Sequence, residues 1–131
     1  MELKNLGKQT AHKLDGRDAS LLEAIPNPML RGYNNSVEIV ASEFSSLCPV
    51  TSGPDYGVII VTYVPQVLLV ESKSLKYYLE SYRAERIFHE RVVSQICEDL
   101  HALLRPAAIK VCGKFNPRGG LAINPVASMG Y

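Results

Sequence analysis

A few short stretches of the chain gather side chains able to do chemistry. Cys48 stands directly before Pro49. The residue before a proline is pushed toward an extended conformation, so this thiol is expected to project at a strand-to-turn junction, a common setting for reactive groups. Only the thiolate is a good nucleophile, and a free thiol titrates near about 8.5, so neighbours must favour the ionised form. Asp55 follows in the turn-rich run Thr51-Ser52-Gly53-Pro54-Asp55-Tyr56-Gly57. There it is either a turn former or a proton donor or base opposite the thiol. The run Glu71-Ser72-Lys73-Ser74-Leu75-Lys76 opens a helix. Helix N-termini attract anions, and Lys73 and Lys76 crowd the end where cations are disfavoured. They suggest a phosphate-bearing ligand, whereas Ser72 and Ser74 read equally well as ordinary caps. His89 and Glu90 open a second helix. Glu90 either complements the helix dipole or accepts two N–H groups from a purine-like ring. Arg118, in Asn116-Pro117-Arg118-Gly119-Gly120, is a hairpin-turn residue or a phosphate contact.

The chain has three cysteines, Cys48, Cys97 and Cys112, at long spacings. An odd number so spaced argues for reduced thiols rather than a disulfide framework. An unpaired cysteine is more often a small buried residue than a nucleophile, and the residues alone leave Cys48 open between the two. Cys97 borders a helical core stripe and Cys112 alternates with Lys110 and Lys114, so both read as structural. His12 and His101 do not pair with cysteines at metal spacing, which predicts no zinc site. The net charge of +1 points to neither nucleic acid nor a membrane surface. The longest apolar stretch, Gly57 to Val70, is interrupted by Thr62, Pro65 and Gln66 and is not a membrane helix. Met1 to Lys8 is polar, with no signal-peptide segment, so a cytoplasmic location is expected. A length of 131 residues predicts one domain over 1–131, with 1–35 as a polar N-terminal arm.

The elements that must position these groups follow from periodicity. Val37, Ile39 and Ala41 alternate with Glu38, Val40 and Ser42, predicting a strand to about Leu47. Val58 to Val64 is dense in β-branched and aromatic residues, a second strand. Pro65 marks an edge or bulge, with resumption over Val67 to Val70. Leu75, Tyr78, Leu79 and Tyr82 fall at helical spacing, capped by Ser72 or Ser74. Phe88, Val92, Ile96, Leu100, Leu103 and Leu104 share one face of a second helix that Pro106 stops. Two last strands are expected, Ile109 to Phe115 and Leu121 to Val126. The apolar patch Leu21 to Ile25 is placed to dock the arm. The order strand-strand-helix-helix-strand-strand predicts an α+β fold with an antiparallel sheet and both helices on one face. Such a sheet keeps uncovered edges, which invite pairing with other chains.

Taken together, Leu47-Cys48-Pro49-Val50-Thr51, Pro54-Asp55-Tyr56, Val70 to Lys76, Phe88-His89-Glu90 and Gly113 to Gly120 resemble the short, single-module 7-cyano-7-deazaguanine reductases. Leu21 to Pro28 resembles that family's N-terminal segment, and the similarity runs from about Leu6 to Val126. The resemblance implies a tunnelling fold (T-fold) whose subunits close into a ring-shaped β-barrel, two pentameric rings stacking into a decamer. It implies NADPH-dependent reduction of a nitrile to an aminomethyl group, in the making of the tRNA base queuosine. Cys48 would form a covalent thioimide and Asp55 would donate the proton. Val70, Glu71 and Ser72 of one subunit, with His89 and Glu90 of another, would hold the small-molecule substrate, without direct contact to nucleic acid. Two NADPH would deliver two hydrides in turn, and Lys73, Lys76 and Arg118 are the candidates for the cofactor's phosphates. The sequence departs from the family at Ser52-Gly53-Pro54, where many relatives place Gly-Gln-Pro, and at Arg91, where an acidic residue is common. An amidinotransferase acting on the same base in tRNA and a non-catalytic purine-binding module are the rival readings. The run Glu71 to Lys76 is of the reductase type.

Overall fold

The computed structural model describes residues 16–131. Met1 to Lys8, the start of the family resemblance at Leu6, His12 and the first part of the arm lie outside the described residues. The main sheet has four antiparallel strands, β2 (Val37–Leu47), β3 (Pro54–Val64), β5 (Ala108–Phe115) and β6 (Val126–Met129), in the order β2-β3-β5-β6. Between β3 and β5 come α1 (Ser72–Glu80), a short 3-10 turn (Ser81–Ala84) and α2 (His89–Leu104). The expected α+β class and element order are therefore present. No described helix is long and apolar enough to cross a membrane.

Period-two alternation decides which sheet face meets the helices. On β3, Asp55, Gly57, Ile59, Val61 and Tyr63 are buried, and on β5 Ile109, Val111 and Phe115 join them. Ile59, Val61, Tyr63, Ile109, Val111 and Phe115 pack with Leu75, Tyr78, Val92, Ile96, Leu100 and Leu104 in one core. Lys110 and Lys114 point to the other face, with Cys112 half-buried between them. Cys97 is buried in the core, and burial raises its thiol pKa. Gly113 lets α2 sit close to the sheet, because a Cβ there would come within 2.8 Å of Val93 Cγ2.

One irregularity sets the active end of the sheet. Ala41 pairs with Ile59 but Phe44 pairs with Gly57, so β2 carries one residue more than β3 between these rungs. Strict alternation from Val37, Ile39 and Ala41 would send Phe44 to the open face. The bulge resets the phase, and Phe44 and Ser46 join Gly57 and Asp55 on the helix side. Phe44 then packs against Tyr82 and Phe115, with ring centroids 5.5 and 6.2 Å away.

Several expectations need correction. Strand β3 begins at Pro54, so Asp55 lies in a strand and the turn is confined to the residues before it. The last strand is Val126–Met129, not Leu121 to Val126. The chain after β5 first makes a tight turn at Arg118 and runs irregularly to Pro125. The resumed strand β4 (Leu68–Val70) does not extend the main sheet. It pairs with β1 (Ala24–Pro26), which is how the arm docks. The cap of α1 is Glu71, whose Oε2 and Oε1 accept from the N–H groups of Lys73 at 2.8 Å and Ser74 at 2.7 Å. Ser74 instead joins the arm: its Oγ accepts from the Glu23 N–H at 3.0 Å. Phe88 is exposed and only precedes α2. Pro106 ends that helix as expected, with Arg105 left-handed at φ 46°.

Farther along the arm, Arg17 makes a two-pronged pair with Asp99, both contacts at 2.9 Å. Tyr78 OH donates to the same carboxylate at 2.6 Å. Burial pushes the Asp99 carboxyl up, but these partners outweigh it and hold the group below its ordinary value.

Candidate active site

The hairpin between β2 and β3 is built around Cys48. The Cys48 N–H donates to Gly53 O at 2.8 Å, and the Ser52 N–H donates to Cys48 O at 2.9 Å. The closed loop turns the Val50 and Thr51 amides and the Thr51 hydroxyl toward the sulfur. The Thr51 hydroxyl, then the Thr51 and Val50 N–H groups, then the Arg118 guanidinium lower the thiol pKa to about 6. Hydrogen bonds to the charged form are the dominant cause, and the thiolate predominates at neutral pH. The sulfur is nonetheless well covered, with Cys48 only 6% exposed.

The loop carries local strain. Ser52 has φ +62°, in the left-handed region that a side chain makes unfavourable by roughly 1–2 kcal/mol. Ser52→Gly is expected to stabilise the fold by about 1 kcal/mol and raise the melting temperature by a few degrees. A melting temperature at or below that of the parent chain would contradict this.

Asp55 pairs across the strands with Ser46 and is almost wholly buried. Its Oδ1 lies 2.9 Å from Arg118 Nη1. Its Oδ2 lies 3.2 Å from His89 Nε2, but the two are not aligned for hydrogen bonding, and both atoms remain without a hydrogen-bond partner. The Ser46 hydroxyl, also buried, is the third such side-chain group among the described residues. Buried polar groups are ordinarily satisfied, so this cluster is prepared for something that brings its own donors and acceptors.

Tertiary contacts deliver His89 to this place. The Leu47 N–H donates to Glu85 O and the Ile87 N–H to Leu47 O, pinning residues 85–87 beside the end of β2. Two residues later His89 begins α2 and stacks on Phe115, centroids 3.7 Å apart and planes 7° from parallel. Phe115 lies over Gly57, where a Cβ would stand 2.9 Å from its ring.

Of the residues singled out in the sequence, the structure thus gathers Cys48, Asp55, His89 and Arg118. Glu90 is exposed on the first turn of α2. Val70, Ser72 and Lys76 lie elsewhere, along a groove of about 380 Å³ between β2 and α1 whose walls include Ile39, Ala41, Leu75, Leu79 and Arg83. Glu71 is buried with its carboxylate engaged as the α1 cap. Lys73 Nζ stands 5.9 Å from the centre of the Tyr77 ring. Sequence reasoning gave no role to Thr51, Ser46 or Phe115. For Thr51 a signal existed, since a hydroxyl three residues after a turn's first residue readily bonds back to the turn.

An antiparallel sheet backed by two helices, with a cysteine of lowered pKa near the guanidinium that contacts a buried carboxyl, defines an α+β protein whose thiol is capable of covalent chemistry. Residues 54–131 match the model of the family described as "QueF-like protein". The chain is 46% identical over 124 residues to the NADPH-dependent 7-cyano-7-deazaguanine reductase of Helicobacter pylori (strain Shi470), covering 95% of this chain and 84% of that one. It is 44% identical to the reductase of the same name from Neisseria gonorrhoeae (strain NCCP11945), with coverage of 95% and 79%. The crystal structure of the archaeosine synthase QueF-Like in the apo form superposes with a TM-score of 0.69 at 26% identity, covering 73% of this chain and 94% of that one. The chain belongs to the QueF-like family.

Proposed function

We propose that this protein is an NADPH-dependent oxidoreductase that reduces the nitrile of 7-cyano-7-deazaguanine to the aminomethyl group, through a thioimide on Cys48. The observation that carries the chemistry is the Cys48 sulfur held as thiolate by its own loop, at the same guanidinium that contacts the buried Asp55. The reductases at 44–46% identity support the substrate and the reaction.

The residues act as follows. The thiolate adds to the nitrile carbon, a carbon–sulfur bond forms, and one π bond of the nitrile opens onto nitrogen. Asp55 gives that nitrogen a proton from Oδ2. Splitting the difficult reduction through a covalent adduct turns a poor acceptor into a C=N group that accepts readily. NADPH, when bound, supplies hydride to that carbon. After the first reduction the carbon–sulfur bond breaks, the electron pair returns to Cys48, and an imine remains for the second. Over both stages the nitrile gains two hydrides and two protons, and the cofactor is oxidised twice.

The groove between β2 and α1 fits a dinucleotide in kind. It has apolar walls at Ile39, Ala41, Leu75 and Leu79 and carries Lys76 and Arg83 alongside Glu43 and Glu80. Lys73 and Lys76 are the proposed contacts to the cofactor's phosphates. Val70, Glu71 and Ser72 lie apart from the Cys48 cluster within one chain. In a homo-oligomer whose β2 and β6 edges pair, one subunit's Val70 to Ser72 would meet another's Cys48, His89 and Glu90 around the base. A ring built in this way, two pentamers stacked, is the assembly we propose.

Mixing protein, NADPH and the nitrile base should consume two equivalents of NADPH for each aminomethyl product. Unchanged NADPH absorbance would end this reading. Ammonia-dependent loss of the nitrile without NADPH would establish the transfer reaction in its place.

A further inference from the structure

The connection from β5 to β6 is tightest at Arg118. Its N–H donates to Leu121 O and the Leu121 N–H donates to Arg118 O, both at 3.0 Å. Gly119 and Gly120 fill the two places between, at φ +58° and +79°. Two successive positive φ values characterise the type I′ hairpin turn, which glycine adopts freely. The Arg118 backbone is therefore fixed, and its side chain reaches across to the Cys48–Asp55 hairpin. Nη1 meets Asp55 Oδ1 at 2.9 Å, while the Arg118 side chain stays 56% exposed and that of Asp55 only 3%.

The contact divides the carboxyl in two. Oδ1 accepts from the guanidinium, which leaves Oδ2, facing His89, without a hydrogen-bond partner. The same guanidinium also lies near enough to the Cys48 sulfur to lower its pKa, after the larger effect of the Thr51 hydroxyl and the loop amides. A planar fork with several donors can serve two acceptors at once, which an ammonium on a flexible stem does poorly.

We propose that Arg118 is a positioning residue for the reaction, whose guanidinium, held by the glycine turn, bridges Asp55 Oδ1 and the Cys48 loop and leaves the carboxyl's second oxygen to the substrate. This goes beyond the phosphate contact expected from the sequence, and it rests on Cys48 being the nucleophile of the proposed function. The alkylation measurement that decides it needs neither nitrile nor NADPH, so a failure of the reductase reading would leave that measurement standing.

The full chain is alkylated with iodoacetamide across pH, and the Cys48 peptide is followed by mass spectrometry so that Cys97 and Cys112 do not interfere. The unaltered protein should show a midpoint near about 6. Arg118→Ala should raise that midpoint by about one pH unit, because the Thr51 hydroxyl and the loop amides still supply the larger share. Arg118→Lys should recover part of the shift. A profile for Arg118→Ala that overlays the parent's overturns the proposal, and a change confined to the KM for NADPH then assigns Arg118 to the cofactor alone. If the alanine variant does not fold, as judged by circular dichroism, Arg118→Gln is read against the same two outcomes.

Discussion

Cys48→Ala is expected to abolish nitrile reduction, lowering kcat by about 10⁴-fold or more, as removal of a covalent nucleophile does. No other group in the cluster can replace it. Asp55 and His89 are buried with one open atom each, and Cys97 and Cys112 stand in the core and on the far sheet face. The measurement is mass spectrometry of the protein with nitrile and no NADPH. The parent should gain the mass of the base on the Cys48 peptide, and the alanine variant should gain nothing. An adduct on the variant would remove Cys48 from its role. The parent's adduct should also report the sulfur's titration. Its pKa is lowered to about 6 from an ordinary value near about 8.5, and the reactive form is the deprotonated one. The rate of adduct formation should therefore fall as pH drops below about 6 and reach a plateau above it, before an ordinary thiol would have begun to react.

Asp55→Asn is the second large effect. An amide keeps the shape and a carbonyl oxygen for Arg118 Nη1 but has no proton to give. Loss of general acid catalysis is expected to lower kcat by about 10²–10⁴-fold. The change should fall on kcat more than on KM, because what is lost is proton delivery as the adduct forms, not the surface that binds the base. The fold should survive. Arg118 is more than half exposed, so its charge can turn to water when the carboxylate is gone, and an uncompensated buried cation is avoided. A variant that melts close to the parent's temperature and retains kcat within about threefold would show that another group or water supplies the proton, since an acid catalyst's removal costs far more.

What the sequence alone determined was the set of parts. Alternation on Val37 to Ala41 and the 3.6-residue stripe from Val92 to Leu104 reflect which side chains must leave water, and they suffice for an antiparallel sheet backed by helices. Cys48 before Pro49 marks a thiol at a strand end, and the motifs around it carry the family. Where alternation breaks, the sequence is silent: the extra residue between Ala41 and Phe44 costs local pairing and is repaid only when Phe44 reaches Tyr82 and Phe115. The last strand was displaced for a similar reason. Leu121 and Ile123 are apolar enough for a strand, yet the glycine turn at Arg118 pairs Leu121 locally, and pairing with β5 begins only at Val126. The ionisation of Cys48 was decided by three-dimensional structure, chiefly the fold of its own loop, with Arg118 added by tertiary contact. A thiol's ionisation depends on which donors surround it, and here the Thr51 hydroxyl, two loop amides and Arg118 do so. Arg118 arrives from a hairpin far along the chain and His89 from the start of a helix. Periodicity reports burial along one segment, whereas a pKa is set by charges and hydrogen bonds brought together from several.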